Sequence, residues 1–177
     1  IREPCGAGTT RLRTKAVENI LENCSISVLR GNCSEILSLG SADIKTKGVD
    51  TSLSLSDETV DAAKRLAIDK KCVIAISGEE DCITDGDKVF RVNNGQPIMT
   101  RVTGSGCGLT AVTAAFCAVA DDNLTLATAA AFGYYGLCGD LAVETSDKPG
   151  SFEVAFVDQL YSAGNEEIRK HLKIEEA

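Results

Sequence analysis

Residues 101–120 read RVTGSGCGLTAVTAAFCAVA, and the chemistry of the chain concentrates there. A glycine-rich turn, Thr103-Gly104-Ser105-Gly106-Cys107-Gly108, runs into a small-residue apolar segment with the character of a buried helix. Such a junction leaves the first backbone N–H groups of the helix without intrahelical partners and adds the positive end of the helix dipole. That combination suits an anion, most often phosphate. Glycine lets the anion approach the backbone where a side chain would block it. The candidate donors are the backbone N–H groups of Gly104 to Gly108. Cys107 sits inside the turn, where a reacting group beside that phosphate would lie. The plainer alternatives are a helix-entry turn with glycines for tight packing, and a cysteine that only shapes a pocket.

Other residues have weaker claims. Arg30 follows a short apolar run and precedes a helix, where a basic side chain suits phosphate; the alternative is an ordinary surface arginine. Ser77 ends a buried strand, at the strand edge where α/β folds bind ligands, or else forms a simple turn. Glu35 could be a solvated helix residue. Glu79, Glu80 and Asp81 read as a solvated entry to a hairpin rather than a metal cluster. His171, the only histidine, lies on a polar terminal segment and carries no chemistry in this reading.

Four segments in this order and spacing resemble the hydroxyethylthiazole kinase family, a thiamine-salvage branch of the ribokinase-like proteins. They are Glu3-Pro4-Cys5-Gly6-Ala7-Gly8, Arg30-Gly31-Asn32-Cys33-Ser34-Glu35, Ser77-Gly78-Glu79-Glu80-Asp81 with Thr84-Asp85-Gly86, and Val102-Thr103-Gly104-Ser105-Gly106-Cys107. The resemblance implies phosphorylation of the primary hydroxyl of 4-methyl-5-(2-hydroxyethyl)thiazole by ATP and Mg²⁺. It places Arg30, Asn32 and Ser77 on ATP, Gly104 against the thiazole, Gly106 and Cys107 at the reacting centre, and Glu3 and Glu35 around Mg²⁺, directly or through water. It also implies a homotrimer with sites between subunits. Related kinases carry Asp at the position of Cys107. Asp there would favour a hydroxymethylpyrimidine kinase or an NAD(P)H-hydrate dehydratase. Where the family has Asp-Pro-Val-Gly, this chain has Glu3-Pro4-Cys5-Gly6; the longer Glu keeps the carboxylate. The family's first strands and helices are absent, so the 177 residues are expected to be the C-terminal portion of one kinase domain. The competing expectation is a non-catalytic fragment that binds nucleotide or assembles with other subunits.

The bulk composition limits the partners. Net charge is −8, which argues against nucleic-acid binding, because a partner of that kind needs a basic face. A nest of backbone donors can still hold one nucleotide phosphate in an acidic protein. Eight cysteines contain no C-x-x-C pair, so a zinc site is not expected. Several lie inside apolar runs, where a thiol behaves as a small hydrophobe, and a reducing cytoplasm fits them. Residues 124–143 are apolar but interrupted by Thr125, Thr128, Asp140 and three glycines; they read as a core helix rather than a membrane span.

The elements that must position these residues alternate. A strand stub opens the chain, with helices expected over residues 12–22, 33–39 and 57–69, the last capped by Ser56. Strands are expected over residues 25–29 and 72–76, then a hairpin of residues 81–84 and 88–92 around Asp85-Gly86-Asp87. Residues 41–55 read as a surface loop. Helices follow the glycine turn, over residues 124–143, after Ser151, and over residues 165–173. This pattern predicts an α/β, ribokinase-like fold with a mainly parallel sheet flanked by helices.

Overall fold

A computed structural model describes residues 1–4, 6–40 and 55–177; the expected loop over residues 41–55 falls almost entirely outside them. The chain divides into two units, Ile1–Phe90 with Glu176–Ala177, and Arg91–Glu175.

In the first unit, α1 (Arg11–Asn23) starts at Thr10, whose hydroxyl accepts the Arg13 N–H. β1 (Val28–Asn32) leads directly into α2 (Cys33–Gly40). α3 (Asp57–Lys70) has Ser56 as its cap and Asp57 and Glu58 in its first turn, as its sequence predicts. β2 (Val73–Ser77) lies parallel to β1, with Arg30 opposite Ala75 and Asn32 opposite Ser77. β3 (Asp81–Thr84) runs antiparallel to β2 and begins the hairpin completed by β4 (Val89–Val92). The opening strand stub is real: Arg2 forms a parallel bridge to Leu29, exchanging backbone hydrogen bonds with Val28 and Arg30. The core of this unit is Leu29, Ile36, Ala63, Ile74, Ile76 and their neighbours, between the sheet and α2 and α3.

Two expectations shift here. β1 runs three residues beyond Leu29, so Arg30, Gly31 and Asn32 belong to a buried strand and not to a turn after it. The sheet is mixed rather than mainly parallel, because β2–β3 is a tight antiparallel connection. The strand order is β1-β2-β3-β4-β5, where β5 is Ile174–Glu176, a strand absent from the sequence reading.

In the second unit, a short 3-10 helix (Pro97–Arg101) precedes α4 (Ser105–Val119). α5 (Leu124–Thr145) starts with Asn123 accepting the Leu126 N–H and packs against both α4 and α6 (Pro149–Ser162). α6 opens at Pro149, with its fixed φ at a position that needs no N–H, and not at Ser151. α7 (Asn165–His171) follows. α5 is long and apolar enough to cross a membrane by composition, yet 61% of its most apolar window is buried inside the protein, as befits the expected core helix. Phe132, Leu137, Cys138 and Ala142 of α5 are fully buried, and Tyr135 meets Phe156 of α6 edge-on at 4.8 Å.

Candidate active site

The first unit gathers Glu3, Arg30 and Ser77. The Arg2 bridge carries Glu3 alongside Arg30, and the parallel register carries the end of β2 alongside the end of β1. Arg30 Nη1 donates to Glu3 Oε1 at 2.8 Å, and Nη2 donates to Ser77 Oγ at 2.6 Å. Arg30 is only 5% exposed, so it is not a surface arginine. A guanidinium has five N–H donors. Two are used by these partners, and the Nε–H is buried without one. The cluster therefore keeps donor capacity and positive charge at the carboxyl ends of two parallel strands.

Asn32 and Glu35 perform a different local task. Asn32 Oδ1 accepts the Glu35 N–H at 2.9 Å, and Glu35 Oε2 accepts the Asn32 N–H at 3.0 Å. This is a reciprocal capping box at the start of α2. Glu35 Oε1 also accepts the Gly6 N–H at 2.8 Å, tying the opening loop to the helix. Glu35 is thus a half-buried structural acceptor, not a solvated helix residue.

Asp81 overturns another expectation. It is buried rather than solvated, and its Oδ1 accepts the Gly78 N–H at 2.9 Å across the β2–β3 turn. Burial pushes its carboxyl up to about 7, against the opposing pull of the Gly78 N–H and the Arg30 charge. The signal was available: an Asp three residues after a strand-ending glycine can close the turn through its side chain.

The second unit holds the glycine segment. Gly104 has φ 87°, a conformation that disfavours any side chain, and a Cβ there would point into open space. α4 begins at Ser105, so Gly106 and Cys107 lie in its first turn and not in a loop before it. Cys107 is exposed. The Gly108 N–H is used by Gly104 O at 2.8 Å, and the Ser105 N–H by Val102 O at 3.3 Å. Two of the expected donors, Ser105 and Gly108, are therefore committed to backbone carbonyls, which narrows the donor set around Gly106. Tyr135, which the sequence reading passed over, donates its hydroxyl to the Ser105 carbonyl at 2.7 Å.

Among the described residues no three His, Cys, Asp or Glu side chains form a metal cluster, and none of the cysteines is in a disulfide.

The family model for the hydroxyethylthiazole kinases matches residues 1–166, and so takes in every candidate site residue described in this section. The chain belongs to the hydroxyethylthiazole kinase family. It is 45% identical over 177 residues to the hydroxyethylthiazole kinase of Desulfotalea psychrophila, covering 100% of this chain and 64% of the relative. With the hydroxyethylthiazole kinase of Moorella thermoacetica the identity is 42% over 172 residues, 97% of this chain and 64% of that one. The solved structure of a hydroxyethylthiazole kinase from Pyrococcus horikoshii OT3 superimposes with a TM-score of 0.86 at 32% identity, over 99% of this chain and 64% of that one. The chain therefore spans about 64% of the length of these family members.

Proposed function

We propose that the protein is a kinase that transfers the γ-phosphoryl group of MgATP to the hydroxyl of 4-methyl-5-(2-hydroxyethyl)thiazole. The observation that carries this reading is identity of 45% along the whole chain with a hydroxyethylthiazole kinase. In this reading both units belong to one kinase domain of a homotrimeric cytoplasmic enzyme.

Arg30 and Ser77 take the nucleotide. Arg30 suits this because its remaining N–H donors and fixed charge match phosphate oxygens. Asn32 lies opposite Ser77 in the strand pair, with its side-chain oxygen already held by Ser34 and the α2 backbone; its contribution to ATP is through shape and position. Gly104 lies against the thiazole, where the absence of Cβ leaves open space. The Gly106 N–H stabilises charge on the transferred phosphoryl group. Cys107, as its thiolate, accepts the proton of the attacking hydroxyl as the new O–P bond forms, the bond from the γ-phosphorus to the bridging oxygen breaks, and ADP leaves. A strong base is not required early, because phosphoryl transfer proceeds through a loose transition state.

Glu3 and Glu35 suit Mg²⁺ in one respect: both are hard carboxylate donors. Each already has one or both oxygens committed to protein N–H groups. A carboxylate has about four acceptor sites, so each retains room for a hydrogen-bonded water. The pair fits an ion that arrives on the nucleotide and keeps most of its own waters, as Mg²⁺ prefers. When bound, the ion neutralises charge on the β- and γ-phosphates.

The test is ADP release from MgATP with and without the thiazole, alongside sedimentation to read the assembly. Thiazole-dependent release is expected. ATP binding without any thiazole-dependent release would overturn the kinase reading in favour of a nucleotide-binding fragment.

A further inference from the structure

We infer that Tyr135 is a positioning residue for phosphoryl transfer, acting on the first turn of α4 through the Ser105–Gly106 peptide. The inference rests on the kinase reading above and concerns only residues of the second unit.

The argument begins with peptide geometry. The Ser105 C=O and the Gly106 N–H belong to one planar trans peptide, so they point in opposite directions. Whatever fixes the carbonyl also aims the N–H. Tyr135 Oη donates to that carbonyl at 2.7 Å from the neighbouring helix α5. The ring behind it is 4% exposed and wedged edge-on against Phe156 at 4.8 Å, so the hydroxyl has a fixed place. Gly104 and Gly106 on either side have no side chains to restrain this turn themselves. A hydrogen bond to the carbonyl also polarises the same peptide and strengthens its N–H as a donor.

Gly108 supports the same conclusion from another direction. A Cβ on Gly108 would meet Tyr135 Oη at 2.5 Å, whereas the ring carbon bearing the hydroxyl would stand at 3.4 Å. The last glycine of the motif therefore makes room for the tyrosine hydroxyl and not for phosphate. Its own N–H is already used by Gly104 O.

The test is steady-state kinetics of thiazole-dependent ADP release on the intact protein, with Tyr135→Phe, Gly108→Ala and the double variant. Phe retains the ring and its packing, and melting temperature verifies folding. Tyr135→Phe is expected to lower kcat about tenfold while KM for ATP and for the thiazole stays within about twofold, the signature of a misaimed transition-state donor. Gly108→Ala is expected to lower kcat similarly by displacing the hydroxyl. The double variant is expected to be no worse than Tyr135→Phe, because the clash disappears with Oη. A lowered melting temperature with unchanged kcat in Tyr135→Phe would reduce the tyrosine to a packing role and overturn the proposal. Additive losses in the double variant would overturn the link to Gly108. If the unmodified protein shows no thiazole-dependent release, the kinase reading falls and this proposal falls with it.

Discussion

Arg30 shows how much a single side chain can organise. Two separate partners bind its guanidinium, and almost none of it reaches solvent. Removing the fork from such a site takes a charged donor from a half-buried carboxylate and a half-buried hydroxyl at once. Arg30→Lys keeps the charge but cannot reach Glu3 and Ser77 together. It is expected to cost roughly 1.5–3 kcal/mol in a urea melt, the range for hydrogen bonds to charged groups, and to raise KM for ATP more than it lowers kcat. An unchanged KM for ATP would remove Arg30 from the nucleotide site. Cys107 is the opposite case, exposed in the first turn of a helix. If it serves as a replaceable proton acceptor, Cys107→Asp retains or raises turnover, because the Asp of sister kinases does the same work. Loss of most turnover would show that the thiol has a role a carboxylate cannot fill.

Most helices start where their sequences place them, because capping is local chemistry; α6, which opens at Pro149 rather than after Ser151, is the exception. Thr10, Ser56 and Asn123 each accept a backbone N–H three residues on. The box at the start of α2 is stronger because Glu35 also holds the Gly6 loop. Glu35→Ala removes acceptors from two backbone N–H groups, and is expected to destabilise the first unit by about 1–2 kcal/mol by denaturant titration. Glu35→Gln should recover part of that loss, since its one carbonyl can replace one of the two acceptors. Equal stability of Glu35→Ala and the unmodified protein would contradict the structural role. Strand limits were less legible than helix limits. Arg30-Gly31-Asn32 has the composition of a turn, yet it extends β1 because burial of Arg30 between Glu3 and Ser77 outweighs local preference. β5 is three residues of a polar tail, Ile174–Glu176. It forms through backbone bonds such as Asn93 N–H to Lys173 O and Ala177 N–H to Val89 O, which leave no pattern in its own sequence.

At the scale of the whole molecule, stability should vary with pH through Asp81. Its carboxyl titrates near 7 when folded, against an ordinary value of 3.8. Between those values the folded protein holds a proton that the unfolded chain has released, so stability falls as pH rises from about 4 to about 7 and then levels off. A shift of about three units corresponds to something on the order of 4 kcal/mol. Asp81→Asn keeps an acceptor for the Gly78 N–H and removes the titration. The difference in unfolding free energy between variant and unmodified protein should therefore grow in the variant's favour across that window. A constant difference from pH 4 to pH 8 would mean that Asp81 stays charged in the folded state.

The sequence by itself determined the helices, the hairpin, the α/β class and the family, all of which rest on short-range period, caps and contiguous motifs. It also marked Arg30, Ser77, Gly104 and Gly106 for attention. Only the tertiary structure decided which polar groups are buried together. Arg30 meets Glu3 across 27 positions and Ser77 across 47, and Tyr135 meets Ser105 across 30. Such meetings depend on strand register and helix packing, where burial raises the cost of any unpaired polar group and so selects its partner. Local sequence patterns do not encode that selection, which is why Tyr135 went unmarked; Asp81, whose bond to the Gly78 N–H spans only three residues, is the case where a local signal existed.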